Sequence, residues 1–94
     1  MNDITCRLAQ ICNQVKNKES IDDIIDELEM IKMDIEQRVS NTPNVKECEG
    51  YILQAQKAIN QLENVIPFLE EIDIQNEDEA EETLELLEEI EYYE

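Results

Sequence analysis

The sequence of 94 residues has no histidine, no tryptophan and a single glycine. Histidine is the commonest general base and serves most serine and cysteine hydrolases, so its absence argues against those enzyme classes. Phosphate-binding loops need several glycines, and Gly50 alone cannot build one. Tight β-hairpin turns need Gly, Asn or Asp at positive φ, so a scarcity of glycine favours helices over hairpins.

The three cysteines are too few and too scattered for a structural zinc site, which needs four Cys or His ligands in close pairs. Cys6 and Cys12 would lie about 9 Å apart along one helix. A disulfide requires Cα atoms within about 7 Å, so these two cannot pair there. We therefore predict reduced thiols in an intracellular, cytoplasmic protein. Cys48 falls on an apolar stripe and is predicted to be a core residue.

Long apolar runs and basic–apolar leaders are also missing, so neither a membrane-spanning helix nor a secretory signal is expected. Carboxylates are plentiful, but acid–base catalysis needs one of them in an apolar pocket, which nothing here predicts. Residues 73–79 lack the glycine and the ligand spacing of a calcium loop. We expect no enzymatic activity, no cofactor and no metal.

What the chain does have is negative charge, with 25 acids, seven bases and a net charge of −18. The charge is uneven, because residues 70–94 hold 13 acids and no base. Leu, Ile, Val and Phe total 26 residues, which exceeds the share below which a highly charged chain stays disordered, about 20%. We expect a folded chain with a strongly acidic last quarter.

Two helices are predicted before Pro43. The first, over residues 3–17, has one apolar stripe with helical spacing. Its members are Ile4, Leu8, Ile11 and Val15. The second, over residues 20–39, starts at Ser20, a favourable N-cap, and has Arg38 near its negative end. Its apolar residues are Ile21, Ile24, Ile25, Leu28, Ile31, Ile35 and Val39.

The third predicted helix starts at Pro43, a residue tolerated in a first helical turn. Apolar residues at alternating steps of three and four give it a heptad-like seam. The seam consists of Val45, Cys48, Ile52, Ala55, Ile59, Leu62, Ile66 and Leu69. Pro67 predicts either a kink, with the helix continuing to about residue 73, or a break after Ile66.

The fourth predicted helix covers residues 77–92 and starts with a capping box of Asn76 and Glu79. One side of this helix is apolar and the other is acidic. The apolar side consists of Ala80, Thr83, Leu84, Leu87 and Ile90. Acids four residues apart, such as Glu81 and Glu85, repel each other by a few tenths of a kcal/mol per pair. The leucines must therefore dock on other helices to hold this one in place.

Together these elements predict a single all-α domain over residues 1–94. The expected architecture is an antiparallel bundle of three long helices plus the acidic C-terminal helix, three to four helices in all. A chain of this length has a thin core. The heptad-like seam also fits a homodimer in which a second copy completes that core. Monomer and homodimer are both left open.

The fourth helix is predicted to be a partner-binding surface. Residues 77–94 span about 27 Å as a helix and carry ten carboxylates. DNA presents one charge per about 1.7 Å of axis for both strands and 3.4 Å for one, so the densities agree within a factor of about two. The candidate residues are Glu77, Asp78, Glu81, Glu82, Glu85, Glu88, Glu89, Tyr92 and Tyr93, with the tyrosines as aromatic anchors.

The hypothesis is an inhibitor or nucleic-acid-mimic decoy that covers a basic surface of a nucleic-acid-binding protein. The analogy is with anti-defence proteins of phages and mobile elements, which often have this size and charge. The chain itself is expected to bind neither nucleic acid nor membrane, because its field repels phosphate. The alternative is a coiled-coil-like structural or adaptor protein, or a small subunit of a larger complex. The acid would then only keep the chain soluble, and Met30 and Met33 would extend a contact surface.

Overall fold

The structure is a computed structural model that describes residues 3–72 and 75–92. Over those residues the chain is largely α-helical and forms no β-strand. The helices are α1 (Asp3–Lys16), α2 (Ile21–Asn41), α3 (Glu49–Glu71) and α4 (Glu77–Glu88), with a short 3₁₀ turn at Lys46–Cys48 before α3.

The described helices form an antiparallel bundle in which each helix packs against two neighbours. α2 lies between α1 and α3, and α4 closes the ring by contacting α1 and α3. At one end of the bundle, Lys18 Nζ donates a hydrogen bond of 3.3 Å to the Gln75 carbonyl. At the other end, Thr5 Oγ1 donates one of 3.4 Å to the Tyr92 carbonyl. The predicted all-α helical bundle is confirmed.

The core is built from the apolar stripes of α1 and α2 as the spacing predicts. All four stripe residues of α1 are buried. In α2 the fully buried residues are Ile24, Leu28, Ile31 and Ile35. Ile21, Ile25 and Val39 are only partly buried and pack against the edge of the core. Their position follows from the width of a helix stripe, whose margins face the gap between two helices.

The third helix begins six residues later than predicted, at Glu49. Thr42 is extended (φ −86°, ψ 129°) because a residue that precedes proline is disfavoured in the α-helical region. Val45 is also extended (φ −119°, ψ 160°). Pro43 therefore follows the end of α2 and does not open the next helix. Val45 is exposed as a result, and Cys48 is only partly buried, so its prediction as a core residue is wrong.

The buried face of α3 is broader than a heptad seam. Its buried residues are Ala55, Ala58, Leu62, Val65, Ile66 and Leu69. The prediction omitted Ala58 and Val65, and it included Ile52 and Ile59, which are only partly buried. A seam with a period of 3.5 residues serves one partner helix. α3 contacts both α2 and α4, so it needs a wider apolar face.

Pro67 lies within α3, which continues to Glu71, so a break after Ile66 did not occur. Proline donates no hydrogen bond and leaves the carbonyl four residues earlier, that of Glu63, without its helical partner. Both Pro67 and Glu63 are exposed, which lets water solvate that carbonyl. Val65, Ile66 and Leu69 are buried around the proline. Their burial offsets its cost, about 3 kcal/mol in a helix interior.

Asn76 caps α4 as predicted, since its side chain accepts hydrogen bonds from the amides of Asp78 and Glu79. The helix ends at Glu88, earlier than the predicted residue 92. Beyond it, Ile90 and Tyr92 are 8% and 3% exposed. Both side chains are thus buried in a segment without regular secondary structure that follows the helix.

All three cysteines are free thiols. Within residues 3–72 and 75–92, no helix is long and apolar enough to cross a lipid bilayer.

The docking of α4 can be tested with one substitution at two sites. Leu87 is 2% exposed, and Leu87→Ala should lower the free energy of unfolding by about 2–5 kcal/mol through lost burial and a cavity. Leu53 is 67% exposed, so Leu53→Ala is the matched control and should change it by less than about 0.5 kcal/mol. Urea denaturation followed by circular dichroism measures both. Equal effects would show that α4 is not docked on the core.

Candidate partner-binding surface

The seven predicted acids of the fourth helix are all exposed. We call them the acidic face: Glu77, Asp78, Glu81, Glu82, Glu85, Glu88 and Glu89. The opposite side of α4 is buried through Ala80, Thr83 and Leu87. The buried Thr83 hydroxyl donates a hydrogen bond of 2.9 Å to the Glu79 carbonyl, so this buried polar group is satisfied. The buried side of α4 thus holds the acidic face towards solvent.

Glu77, Glu81 and Glu88 lie on the side of α4 next to α1, which we call the α1 flank. Glu77 and Glu81 line a groove together with Lys16 and Lys18. Lys18 Nζ lies 3.8 Å from Glu77 Oε1. Basic side chains of α1 therefore offset part of the negative charge on this flank.

The charge of Glu88 also acts on Cys12 of α1. Burial raises the pKa of the Cys12 thiol, the charge of Glu88 raises it further, and Lys16 lowers it. A raised pKa keeps the thiol protonated and a poor nucleophile. Glu88 and Lys16 thus act on the same thiol with opposite charges.

Glu82, Glu85 and Glu89 lie on the other side of the acidic face, next to α3, which we call the α3 flank. Together with Phe68 and Leu86 they line a surface groove of about 420 Å³ between α3 and α4. Among the residues that the structure describes, no basic one lines this groove. The sequence explains why, since residues 58–94 contain 14 acids and no base. The groove therefore brings two apolar side chains together with three glutamates, and none of its described lining residues is basic.

Sequence reasoning missed Phe68. This residue lies off the heptad-like seam, next to Pro67, and was therefore assigned neither to the core nor to a surface. It is partly buried and lines the groove on the α3 side. The available signal was its rarity, because it is the only phenylalanine in the chain.

The remaining helices are joined by ion pairs. Arg7 of α1 is hydrogen-bonded to Asp34 of α2, a bond that raises the pKa of the arginine. Lys32 Nζ of α2 lies 3.4 Å from Glu63 Oε1 of α3. Arg7 and Lys32 thus serve the contacts among α1, α2 and α3. The excess of negative charge is concentrated in residues 70–94, which hold 13 acids and no base.

Tyr92 is not available as a surface anchor, which corrects its predicted role. Its hydroxyl lies 2.6 Å from that of Tyr51, and their ring centroids are 6.0 Å apart in an edge-to-face arrangement. The sequence-based prediction placed Tyr92 on a helix that continues to residue 92. The chain leaves the helix at Glu89, and the Tyr92 side chain is buried. Tyr93 lies outside the described residues.

The described residues contain no group of three or more His, Cys, Asp or Glu side chains arranged to hold a metal ion. Comparison of the chain with models of protein families, with curated proteins and with solved structures finds no match. The acidic face and the groove beside it offer charge attraction and apolar contact, which are the means of binding another macromolecule.

The Tyr51–Tyr92 contact predicts a stability loss at alkaline pH. Burial, and next the hydrogen bond with Tyr51, raises the pKa of Tyr92 to about 12, from 10.0 for a free tyrosine. The unfolded chain therefore ionises first, so this contribution to stability is complete below about pH 10 and disappears as pH rises through about 12. Tyr92→Phe should flatten the decline in unfolding free energy between those values, measured in urea. An unchanged slope would contradict the assignment.

Proposed function

We propose that the acidic face of α4 covers a basic nucleic-acid-binding surface on a partner protein, and that the chain acts as an inhibitor or decoy. The observation that carries this proposal is the exposure of seven carboxylates along one docked helix and its C-cap. Acids that only served solubility would not need an ordered helix with a buried side. On α4 the helix fixes their spacing.

The spacing of charge agrees with that of a nucleic acid. Residues 77–89 span about 18 Å at 1.5 Å per residue. Seven carboxylates over that length give one charge per about 2.6 Å, between the values for two strands and for one strand of DNA, about 1.7 and 3.4 Å. A basic groove that accepts a phosphate backbone would therefore meet a similar charge density on this helix.

An adaptor role is the second candidate, and it is favoured by exposed apolar residues on the opposite part of the bundle. Met30 and Met33 of α2 are 53% and 66% exposed. Methionine side chains adapt readily to different partners. The seam of α3 offers less support, since Ala55, Leu62, Ile66 and Leu69 are buried within the chain.

The test begins with proteins that co-purify with this chain from its native host. A decoy requires that a captured protein binds DNA or RNA and that the chain displaces a fluorescent oligonucleotide from it. Removal of the whole helix is unsuitable because α4 covers the core. Charge neutralisation is cleaner: Glu81, Glu82, Glu85, Glu88 and Glu89 are all replaced by Gln.

The matched control neutralises five exposed acids elsewhere, with Asp22 and Asp26 changed to Asn, and Glu29, Glu47 and Glu49 changed to Gln. Both variants have the same net charge. The α4 variant should need at least about tenfold more protein for displacement, whereas the control should behave like the wild type. Displacement should weaken steeply as salt is raised through about 0.2 M, where charges beyond about 7–8 Å are screened. Equal losses of displacement activity in the two variants would contradict the proposal. Capture of a partner without displacement of the oligonucleotide would contradict it as well.

A further inference from the structure

The groove between α3 and α4, formed by Phe68, Leu86 and the three acids of the α3 flank, has a chemistry different from the rest of the acidic face. We propose that it binds a basic amphipathic helix of the partner protein. An apolar side chain of that helix enters between Phe68 and Leu86, and its Lys and Arg side chains pair with the rim. This inference rests on the proposed function and specifies which element of the partner is covered.

Charge selects a cationic occupant. On the α1 flank, Lys16 and Lys18 offset the acids, whereas the lining of the α3/α4 groove contains three glutamates and no base. A phosphate backbone or an anionic membrane surface would be repelled. A second copy would bring a further net charge of −18. Attraction is therefore strongest for a Lys- or Arg-rich segment.

Shape selects a helix. Glu82 and Glu85 of α4 and its C-cap residue Glu89 repeat at steps of three and four over about 10 Å, which is two helical turns. The groove lies between two neighbouring helices, and a helix that docks in a groove presents anchors spaced i, i+3, i+4 and i+7. Its volume, about 420 Å³, lies within the range of binding pockets and suits one or two apolar side chains.

A basic helix in the groove is compatible with a partner protein that binds nucleic acid. Many nucleic-acid-binding proteins place a basic helix into the major groove of DNA. The element covered by the α3/α4 groove is a helix of that kind, exposed on the partner and carrying an apolar residue among its bases.

The probes are two fluorescein-labelled synthetic peptides of about 16 residues, long enough for partial helicity. Both carry the same lysines on an alanine background. The anchored peptide has leucines at i, i+3 and i+7 between the lysines, and the unanchored peptide has alanine there. Fluorescence anisotropy at about 0.1 M salt, where the Debye length is about 10 Å, measures binding to the full-length chain. The anchored peptide should bind about tenfold more tightly.

Apolar contact is tested with Phe68→Ala, and with Leu86→Ala as a second variant in case the first is unfolded by circular dichroism. Either should weaken the anchored peptide about tenfold and leave the unanchored one unchanged. That coupling between the protein side chain and the peptide leucines is the signature of direct contact. Loss of affinity for both peptides alike would overturn the proposal, as would equal wild-type affinity for both.

Charge placement is tested by two triple variants with the same net charge. Glu82, Glu85 and Glu89 are changed to Gln on the α3 flank, and Glu77, Glu81 and Glu88 are changed to Gln on the α1 flank. The first should weaken the anchored peptide at least about tenfold and the second less than about threefold. Equal losses would mean that bulk charge alone attracts the peptide, and the groove would not be its site.

The same two triple variants separate this inference from the proposed function. In the displacement assay with the co-purified partner, a loss confined to the α3-flank variant supports both. Equal losses from both variants support the decoy and overturn the groove as the site for a helix. If both triple variants and the variant lacking five acids still displace the oligonucleotide fully, the decoy function itself is contradicted.

Discussion

The acidic face depends on the burial of one side of α4 against α1 and α3. Acids four residues apart along this helix repel one another, and a helix of 12 residues is marginal by itself. Leu87 and Thr83 are almost completely buried, and Ile90 and Tyr92 continue the contact beyond the helix. Apolar burial of this size outweighs repulsions of a few tenths of a kcal/mol each. The acidic face exists as an ordered surface because its reverse side belongs to the core.

Sequence periodicity predicted the parts of the fold that local chemistry determines. The stripe of α1, the central residues of α2 and the cap at Asn76 all follow from spacing and capping preferences. Periodicity did not locate the start of α3, because the extended Val45 and a 3₁₀ turn separate Pro43 from the helix. It also did not settle the effect of Pro67, which depends on burial around it and on solvent access to the freed carbonyl. These are tertiary properties.

The candidate surface was predictable in part for the same reason. The acids follow from α4 alone, since any helix with that pattern exposes them opposite its leucines. The difference between the two flanks depends on which helices lie beside α4, and only the packed bundle places Lys18 on one side and Phe68 on the other. Tyr92 was predicted to be a surface anchor but is buried, because the chain leaves the helix before reaching it. Its partner, Tyr51, is distant in sequence and gave no local signal.

Contacts at both ends of α4 hold it in place before any partner binds. They bear on the rate and the affinity of the proposed complex. Asn76 and the Lys18–Gln75 bond hold its beginning, and the Tyr51–Tyr92 pair holds the segment after it. The conformational entropy of ordering this charged rod is therefore lost during folding, before any encounter. Segments that become ordered only on binding lose affinity to that ordering. In the proposed complex, the attraction between opposite charges would therefore not be reduced by an ordering of α4, and electrostatic steering rather than a folding step would set the on-rate.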